Sequence, residues 1–288
     1  MRIEDLDRQR CKREYADQLM DDLLWLGLKW DEGPEKDLQD QKGGDKNCFQ
    51  DQKGGGPYFQ SQRDGIYQEY FSKLESLGLV YDCFCSRADL MASSAPHLNG
   101  LPPVYAGTCR NLSPSERERL LKERKPAQRL RVEDRQSTFV DGHYGEQICN
   151  LERDCGDFIL RRADGNFSYN LAVTVDDALM GVTQIARGRD LLASTHQQIF
   201  LYEKLGFKAP DFYHFPLLVD KEGRRLSKRD KDLDMGVLRA NNSPQKIIGK
   251  LMRLCGFIDR QDALELSDAL ELFDWERLPK TDIVAGAF

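Results

Sequence analysis

The chain predicts an α/β fold: a parallel sheet flanked by helices, interrupted by a cysteine-bearing segment and followed by a short helical tail. Three observations carry this. Short apolar runs of strand type alternate with amphipathic helical stretches, the pattern of a sheet covered on both faces. In the stretch from Asp157 to Thr195, an extended apolar run (Leu171 to Val175) leads into Asp176-Asp177. A β-type segment (Val182 to Ala186) then ends on Arg187, before a Ser/Thr-started helix. Side chains at the carboxyl ends of buried strands face a ligand crevice, so Tyr169 and Arg187 are placed there together. Finally, Cys83, Cys85 and Cys109 are close enough to share a task, inside a segment from about 83 to 150 that breaks the alternation.

Taken in order, Ala16 to Leu26 repeats apolar residues at helical spacing and is closed by Gly27. Arg63 to Leu77 does the same and stops at Gly78. Between them, Gln39-Asp-Gln-Lys-Gly-Gly44 recurs as Gln50-Asp-Gln-Lys-Gly-Gly55, a polar duplication expected to form a surface loop without chemistry. Ser113-Pro-Ser-Glu116 has the form of a capping box and opens a charged helix to about Lys125. Arg129 to Val132 and Phe158 to Arg161 read as strands, Thr195 to Leu205 as a helix closed by Gly206, and Phe215 to Val219 as a buried strand. After Ser243-Pro244 the chain is expected to be helical to its end.

The 288 residues are enough for one large domain or two modest ones, and 40% hydrophobic with 31% charged residues is a globular composition. No apolar run approaches the roughly 18 to 20 residues that span a bilayer. The start MRIEDLDRQR has no apolar signal core, so no membrane partner and a cytoplasmic location are expected. Cys11, Cys48, Cys149, Cys155 and Cys255 read as free thiols. A net charge of −6 excludes a protein coated with nucleic acid. Locally the sign reverses: residues 117 to 135 carry eight Lys/Arg against four Asp/Glu, and 221 to 231 carry six against two. Each patch suits a few phosphate contacts, although 117 to 135 could equally be a solvated helix face.

A guanidinium in the crevice suits a carboxylate, which it grips through two parallel charge-assisted hydrogen bonds. Leu226-Ser-Lys228 follows a strand and a Gly223 turn, where a mobile lysine suits a triphosphate shifting its charge toward pyrophosphate. Three thiolates make a zinc site lacking one ligand, and by ligand chemistry His97 is the natural fourth. His143, His196 and His214 form no metal or acid–base pattern, and His214 reads as a structural residue.

Four blocks stand in order: Arg2-Ile-Glu-Asp-Leu-Asp7, Cys83-Phe-Cys85 with Tyr105 and Cys109, the Tyr169 to Arg187 stretch, and Arg224-Arg-Leu-Ser-Lys-Arg229. In this order the chain resembles the catalytic domain of a class I glutamyl-tRNA synthetase, from residue 2 to about 280, broken by an insertion at about 35 to 56. It is most similar to the short members that place glutamate on queuosine, the modified wobble base of tRNA(Asp). The resemblance implies a Rossmann-type catalytic domain in two parts, 1–82 and 151–238, split by a zinc-bearing, nucleic-acid-docking subdomain at 83–150 and followed by a helical tail at 239–288. It implies glutamate, ATP with Mg²⁺ and tRNA as ligands, a structural Zn²⁺, and a monomer. Glu4 would accept from the substrate's α-ammonium, Tyr169 would line its pocket and Arg187 would hold its side-chain carboxylate. Lys228 and Arg225 would contact the ATP phosphates, and Cys83, Cys85, Tyr105 and Cys109 would hold zinc, with Tyr105 in place of His97.

Full-length glutamyl-tRNA synthetases often carry Asn four residues after the pocket tyrosine. Val173 stands there, as in the queuosine-modifying relatives. The residues after the Leu-Ser-Lys loop are also too few for the usual anticodon-binding helices. The alternatives are a catalytic fragment that charges tRNA(Glu), and an inactive truncated paralogue. The last has a specific motive. Members of the family begin some tens of residues before the Arg2-Ile-Glu-Asp-Leu-Asp7 block, with a first strand, an arginine and serine that contact the amino acid, and a HIGH-type helix start for ATP. Met1 stands directly before Arg2 and no His-x-Gly-[His/Asn] follows, so the chain as written is expected to be a poor catalyst.

Overall fold

The computed structural model describes residues 1–36, 49–51, 58–86, 88–90, 104–226, 234–260 and 263–285. Near the start, Ile3 pairs in parallel with Phe59: its N–H donates to the Tyr58 carbonyl (2.8 Å) and its carbonyl accepts from Gln60 N–H (3.0 Å). Helix α1 (Arg13–Trp25) follows, and then the short antiparallel pair β1 (Pro34–Lys36) and β2 (Phe49–Asp51). The rest of the duplicated insertion lies outside the described residues.

Helix α2 (Asp64–Ser76) presents Tyr67, Phe71 and Leu74 to the core at helical spacing. Strand β3 (Val80–Cys83) then delivers two of the three cysteines of interest. Helix α3 (Pro114–Glu123) starts at a complete capping box, in which Ser113 and Glu116 satisfy each other's backbone N–H. Strands β4 (Ala127–Leu130), β5 (Gln136–Asp141), β6 (Gly145–Asn150) and β7 (Phe158–Arg161) come next. After them stand α4 (Tyr169–Leu179), β8 (Gln184–Gly188), α5 (Thr195–Leu205), β9 (Asp211–Phe215) and β10 (Leu218–Val219). Helices α6 (Met235–Asn241), α7 (Pro244–Leu254) and α8 (Leu266–Leu272) lead to β11 (Ile283–Val284).

The central four-stranded sheet has the order β6-β5-β9-β8. β8 and β9 run parallel from Gln184↔Asp211 to Gly188↔Phe215, with α5 as their connection, and β5 joins β9 in parallel at Asp141↔Phe212. The expected parallel sheet is therefore present in β5, β9 and β8. Antiparallel pairing enters with the β5–β6 hairpin and with the separate sheet β3-β4-β7. The main core packs α2, α4 and α5 together through Tyr67, Phe71, Leu171, Val175, Phe200 and Leu201.

Three sequence readings need correction. Leu171 to Val175 is helical, not extended. Every residue from Leu171 to Asp177 is buried, so the helix shows no polar face, and periodicity cannot separate it from a buried strand. Its local start signal is Ser168, whose hydroxyl accepts from Leu171 N–H. The strand expected at Phe215 to Val219 is divided, because β9 ends at Phe215 and Pro216 has no N–H to donate to a ladder. The tail is also not helical throughout. β11 pairs in parallel with β10, and Ile283 and Ala285 N–H donate to the Leu217 and Val219 carbonyls (both 2.9 Å).

Candidate active site

Two threads of chain meet over the carboxyl end of β8. One is the Ile3 bridge, which sets Arg2 and Glu4 in place; the other is the start of α4, which presents Tyr169 and, one turn on, Val173. With Arg187 at the end of β8 they line an open cleft of about 790 Å³. Glu4, Tyr169 and Arg187, singled out from the sequence, are thus brought together, and Val173 joins them.

The electrostatics of this cleft are set by two carboxylates that α4 buries at its far end. Asp176 accepts from Gln60 Nε2 (2.8 Å), Arg63 Nε (2.7 Å) and Tyr67 Oη (2.8 Å), so α2 and α4 are joined by a buried carboxylate with three donors. Asp177 accepts from Arg2 Nη1 (2.6 Å), and Arg2 Nη2 donates to Glu4 Oε1 (3.1 Å). Burial raises the Asp177 carboxyl above its ordinary value, with Arg2 opposing. Arg2 is thereby clamped between two acids, and the half-exposed Glu4 carboxylate faces the cleft beside Tyr169. Burial and the nearby Glu4 charge raise the Tyr169 phenol, with Arg187 opposing, so it remains a neutral donor.

Arg187 is only 9% exposed. Its Nε donates to His214 Nε2 (3.0 Å) and its Nη2 to Thr195 Oγ1 (2.7 Å), while the buried Nη1 has no hydrogen-bond partner among the described residues. The sequence reading missed His214 as a neighbour of Arg187. The available signal was strand alternation: in β9, Phe212 and His214 point inward and Asp211 and Phe215 outward.

Arg225 sits on the hairpin that follows β10, bridged to Val219 and ion-paired with Asp190. Lys228 lies outside the described residues, as does His97.

The second cluster forms where β3 ends. The sulfur atoms of Cys83, Cys85 and Cys109 lie within 4.8 Å of one another. Cys85 Sγ is 3.6 Å from Cys109 Sγ, and the Tyr105 phenol oxygen is 3.5 Å from Cys83 Sγ and 3.8 Å from Cys85 Sγ. A tetrahedral zinc with sulfur at about 2.3 Å and oxygen at about 2.0 Å separates sulfurs by about 3.7 Å and sulfur from oxygen by about 3.5 Å. The Cys85–Cys109 spacing and the two phenol–sulfur spacings are close to those values, and the three thiols could hold a metal ion. Burial, then the charge of Cys83 and the hydrogen bond with Cys109, push Cys85 up to about 12, with the Tyr105 hydrogen bond opposing. Arg129 stacks on the Tyr105 ring at 3.9 Å from its centroid, which brings a positive charge to the cluster.

The fold and these two clusters define a class I tRNA synthetase catalytic domain. The family model for class I tRNA synthetases (E and Q), catalytic domain, matches residues 1–283, and the chain belongs to that family. The chain is 42% identical to a glutamyl-Q tRNA(Asp) synthetase of Symbiobacterium thermophilum, over 98% of this chain and 84% of that protein. It is 43% identical to one of Nitratidesulfovibrio vulgaris, over 100% of this chain and 85% of the relative. Against a glutamate–tRNA ligase of a Sulfurihydrogenibium species, identity is 37% over 93% of this chain and 53% of the ligase. Among solved structures, a glutamate tRNA ligase from Elizabethkingia meningosepticum in complex with its amino acid superposes with a TM-score of 0.72 at 26% identity. That match covers 99% of this chain and 60% of the ligase. Among the described residues, no helix is long and apolar enough to cross a membrane.

Proposed function

We propose that the protein activates glutamate with ATP and transfers it to queuosine at the wobble position of tRNA(Asp). The single observation that carries the amino acid assignment is Arg187 Nη1, a buried guanidinium nitrogen with no hydrogen-bond partner among the described residues, in the wall of a cleft that also holds Glu4 and Tyr169. A side-chain carboxylate satisfies it and glutamine's amide does so less well, because charge-assisted pairs are the stronger ones. Glu4 takes the α-ammonium group and Tyr169 closes the side of the pocket.

The first step forms a bond between the glutamate α-carboxylate oxygen and the ATP α-phosphorus and breaks the bond to pyrophosphate. In the second, a queuosine hydroxyl attacks the activated carbonyl, and AMP leaves. Lys228 and Arg225 would balance the phosphate charge. Mg²⁺, arriving with ATP, would neutralise the phosphate oxygens. Cys83, Cys85, Tyr105 and Cys109 would hold a structural Zn²⁺ that ties β3 to the 105–109 turn. No general base is required, since positioning and charge stabilisation suffice for this chemistry.

The preference for tRNA(Asp) is supported by the names of the two relatives matched over more than four-fifths of their length, and by Val173 in the cleft wall. The test is a comparison of three RNAs with radiolabelled glutamate: tRNA(Asp) with queuosine, tRNA(Asp) without it, and tRNA(Glu). Label is expected on the first alone. Charging of tRNA(Glu) at an equal rate would overturn the reading in favour of a tRNA(Glu)-charging catalytic fragment.

A further inference from the structure

We propose that Asp141, His214 and Thr195 are positioning residues that fix the Arg187 guanidinium, leaving its Nη1 as the nitrogen available to the ligand carboxylate. The inference rests on the reading of Arg187 as the carboxylate-binding residue and adds the device that aims it.

The hydrogen bonds have one consistent direction. A guanidinium only donates, so His214 Nε2, which receives Arg187 Nε at 3.0 Å, must be the unprotonated ring nitrogen. The ring proton then sits on Nδ1, 2.6 Å from Asp141 Oδ2. Asp141 is fixed in turn, since its Oδ1 accepts from the backbone N–H of His143 (3.0 Å) and Tyr144 (2.8 Å). On the other flank, Thr195 Oγ1 accepts from Arg187 Nη2 and donates to the Leu191 carbonyl (3.1 Å). The His214 and Asp141 side chains are both fully buried. Phe212 lies under the guanidinium at 5.2 Å. Two of the three guanidinium nitrogens are committed to protein, and the third, Nη1, is buried without a hydrogen-bond partner among the described residues, in a residue that lines the cleft.

The backbone is shaped for this. Asp141 ends β5 where β5 meets β9, and the next residue, Gly142, donates its N–H to the Phe212 carbonyl (2.8 Å). A Cβ at Gly142 would stand 2.0 Å from the Tyr213 ring, so a larger residue there would displace either Tyr213 or the hairpin that carries Asp141.

The arrangement has a pH sign. Protonation of His214 would set a second donor opposite Arg187 Nε and a second cation beside the guanidinium. The charged groups facing the ring are Asp141 from β5, Arg187 from β8 and Asp190 from the turn that follows β8. Burial holds His214 below the ordinary histidine value of 6.5, with Arg187 acting the same way and Asp141 and Asp190 opposing. The aimed state is therefore intact above the ordinary value and is lost as pH falls through the depressed one.

Calorimetric titration of the full chain with glutamate and, separately, with ATP tests this. Wild-type affinity for glutamate should fall on acidification, while His214→Gln, whose amide reproduces the neutral donor and acceptor, should keep the affinity and lose the acid step. His214→Phe should weaken glutamate by about tenfold or more while leaving ATP affinity unchanged. Thr195→Val, which removes the Nη2 acceptor at constant shape, should weaken glutamate too and serves if His214→Phe does not fold. Nitrogen NMR of the wild type should report the Nδ1–H tautomer for His214. The opposite tautomer, an acid step retained in His214→Gln, or glutamate bound equally well by the folded His214→Phe variant would overturn the inference alone. Wild-type protein that binds no glutamate would overturn the functional reading and this inference with it.

Discussion

The cleft around Arg187 and the thiol cluster around Tyr105 both bury polar groups, but they differ in what completes them. In the cleft, protein atoms do nearly all of it. Asp176 has three donors, Asp177 has Arg2, and Arg187 has His214 and Thr195, with one guanidinium nitrogen left unpaired among the described residues. In the cluster, three sulfurs and a phenol converge at separations that suit a tetrahedral cation, and burial and mutual repulsion oppose ionising Cys85 until such a cation is bound. On the proposed reading, the first site is held by protein contacts before its ligand arrives, and the second would gain stability from a bound metal. Metal removal and point substitution should therefore act on them in opposite ways.

The largest effect is expected at the cluster. Cys83→Ser combined with Cys85→Ser should reduce bound zinc from about one per chain to none and lower the melting temperature, as read by metal analysis and calorimetry. Chelation of the wild type should do the same yet leave glutamate affinity unchanged; a parallel loss of glutamate binding would break the distinction between the sites. Next comes Asp176→Ala, which leaves Arg63 buried without its carboxylate and should destabilise the fold by about 3–5 kcal/mol in denaturant melts. Arg187→Ala should remove about 1.5–3 kcal/mol of glutamate binding, read as a loss of glutamate-dependent activity with the fold intact. Smallest is Ser113→Ala, which removes the capping box of α3, whose Leu120 packs against the thiol cluster, at about 1 kcal/mol of stability and no change in glutamate affinity.

The same contrast decides what the sequence could reveal. The cluster was legible because its donors are close in the chain and chemically distinctive: Cys83 and Cys85 are separated by one residue, and Cys109 follows at short range. Tyr169 and Arg187 could be placed in one crevice from the α/β layout, and Glu4 joined them through the family resemblance. What held them there could not. Asp141, His214 and Thr195 come from three separate elements, and each looks ordinary in its local context. Helix α4 shows the limit for secondary structure. Its Val173-Thr-Val175 run favours strand by local preference, and burial on every side erased the helical period that would have argued otherwise. The tail was misjudged for a related reason, because β11 has no pattern of its own and is defined by pairing with β10.

The claim on which the account turns is that the cleft is a prebuilt carboxylate site with Arg187 at its end. Calorimetric titration of the same protein with glutamate and with glutamine tests it most directly. The two ligands differ by one charged oxygen, and a charge-assisted pair at Arg187 predicts glutamate bound at least about tenfold more tightly, with the difference abolished in Arg187→Ala. Equal affinity for the two in the wild-type protein would contradict the account.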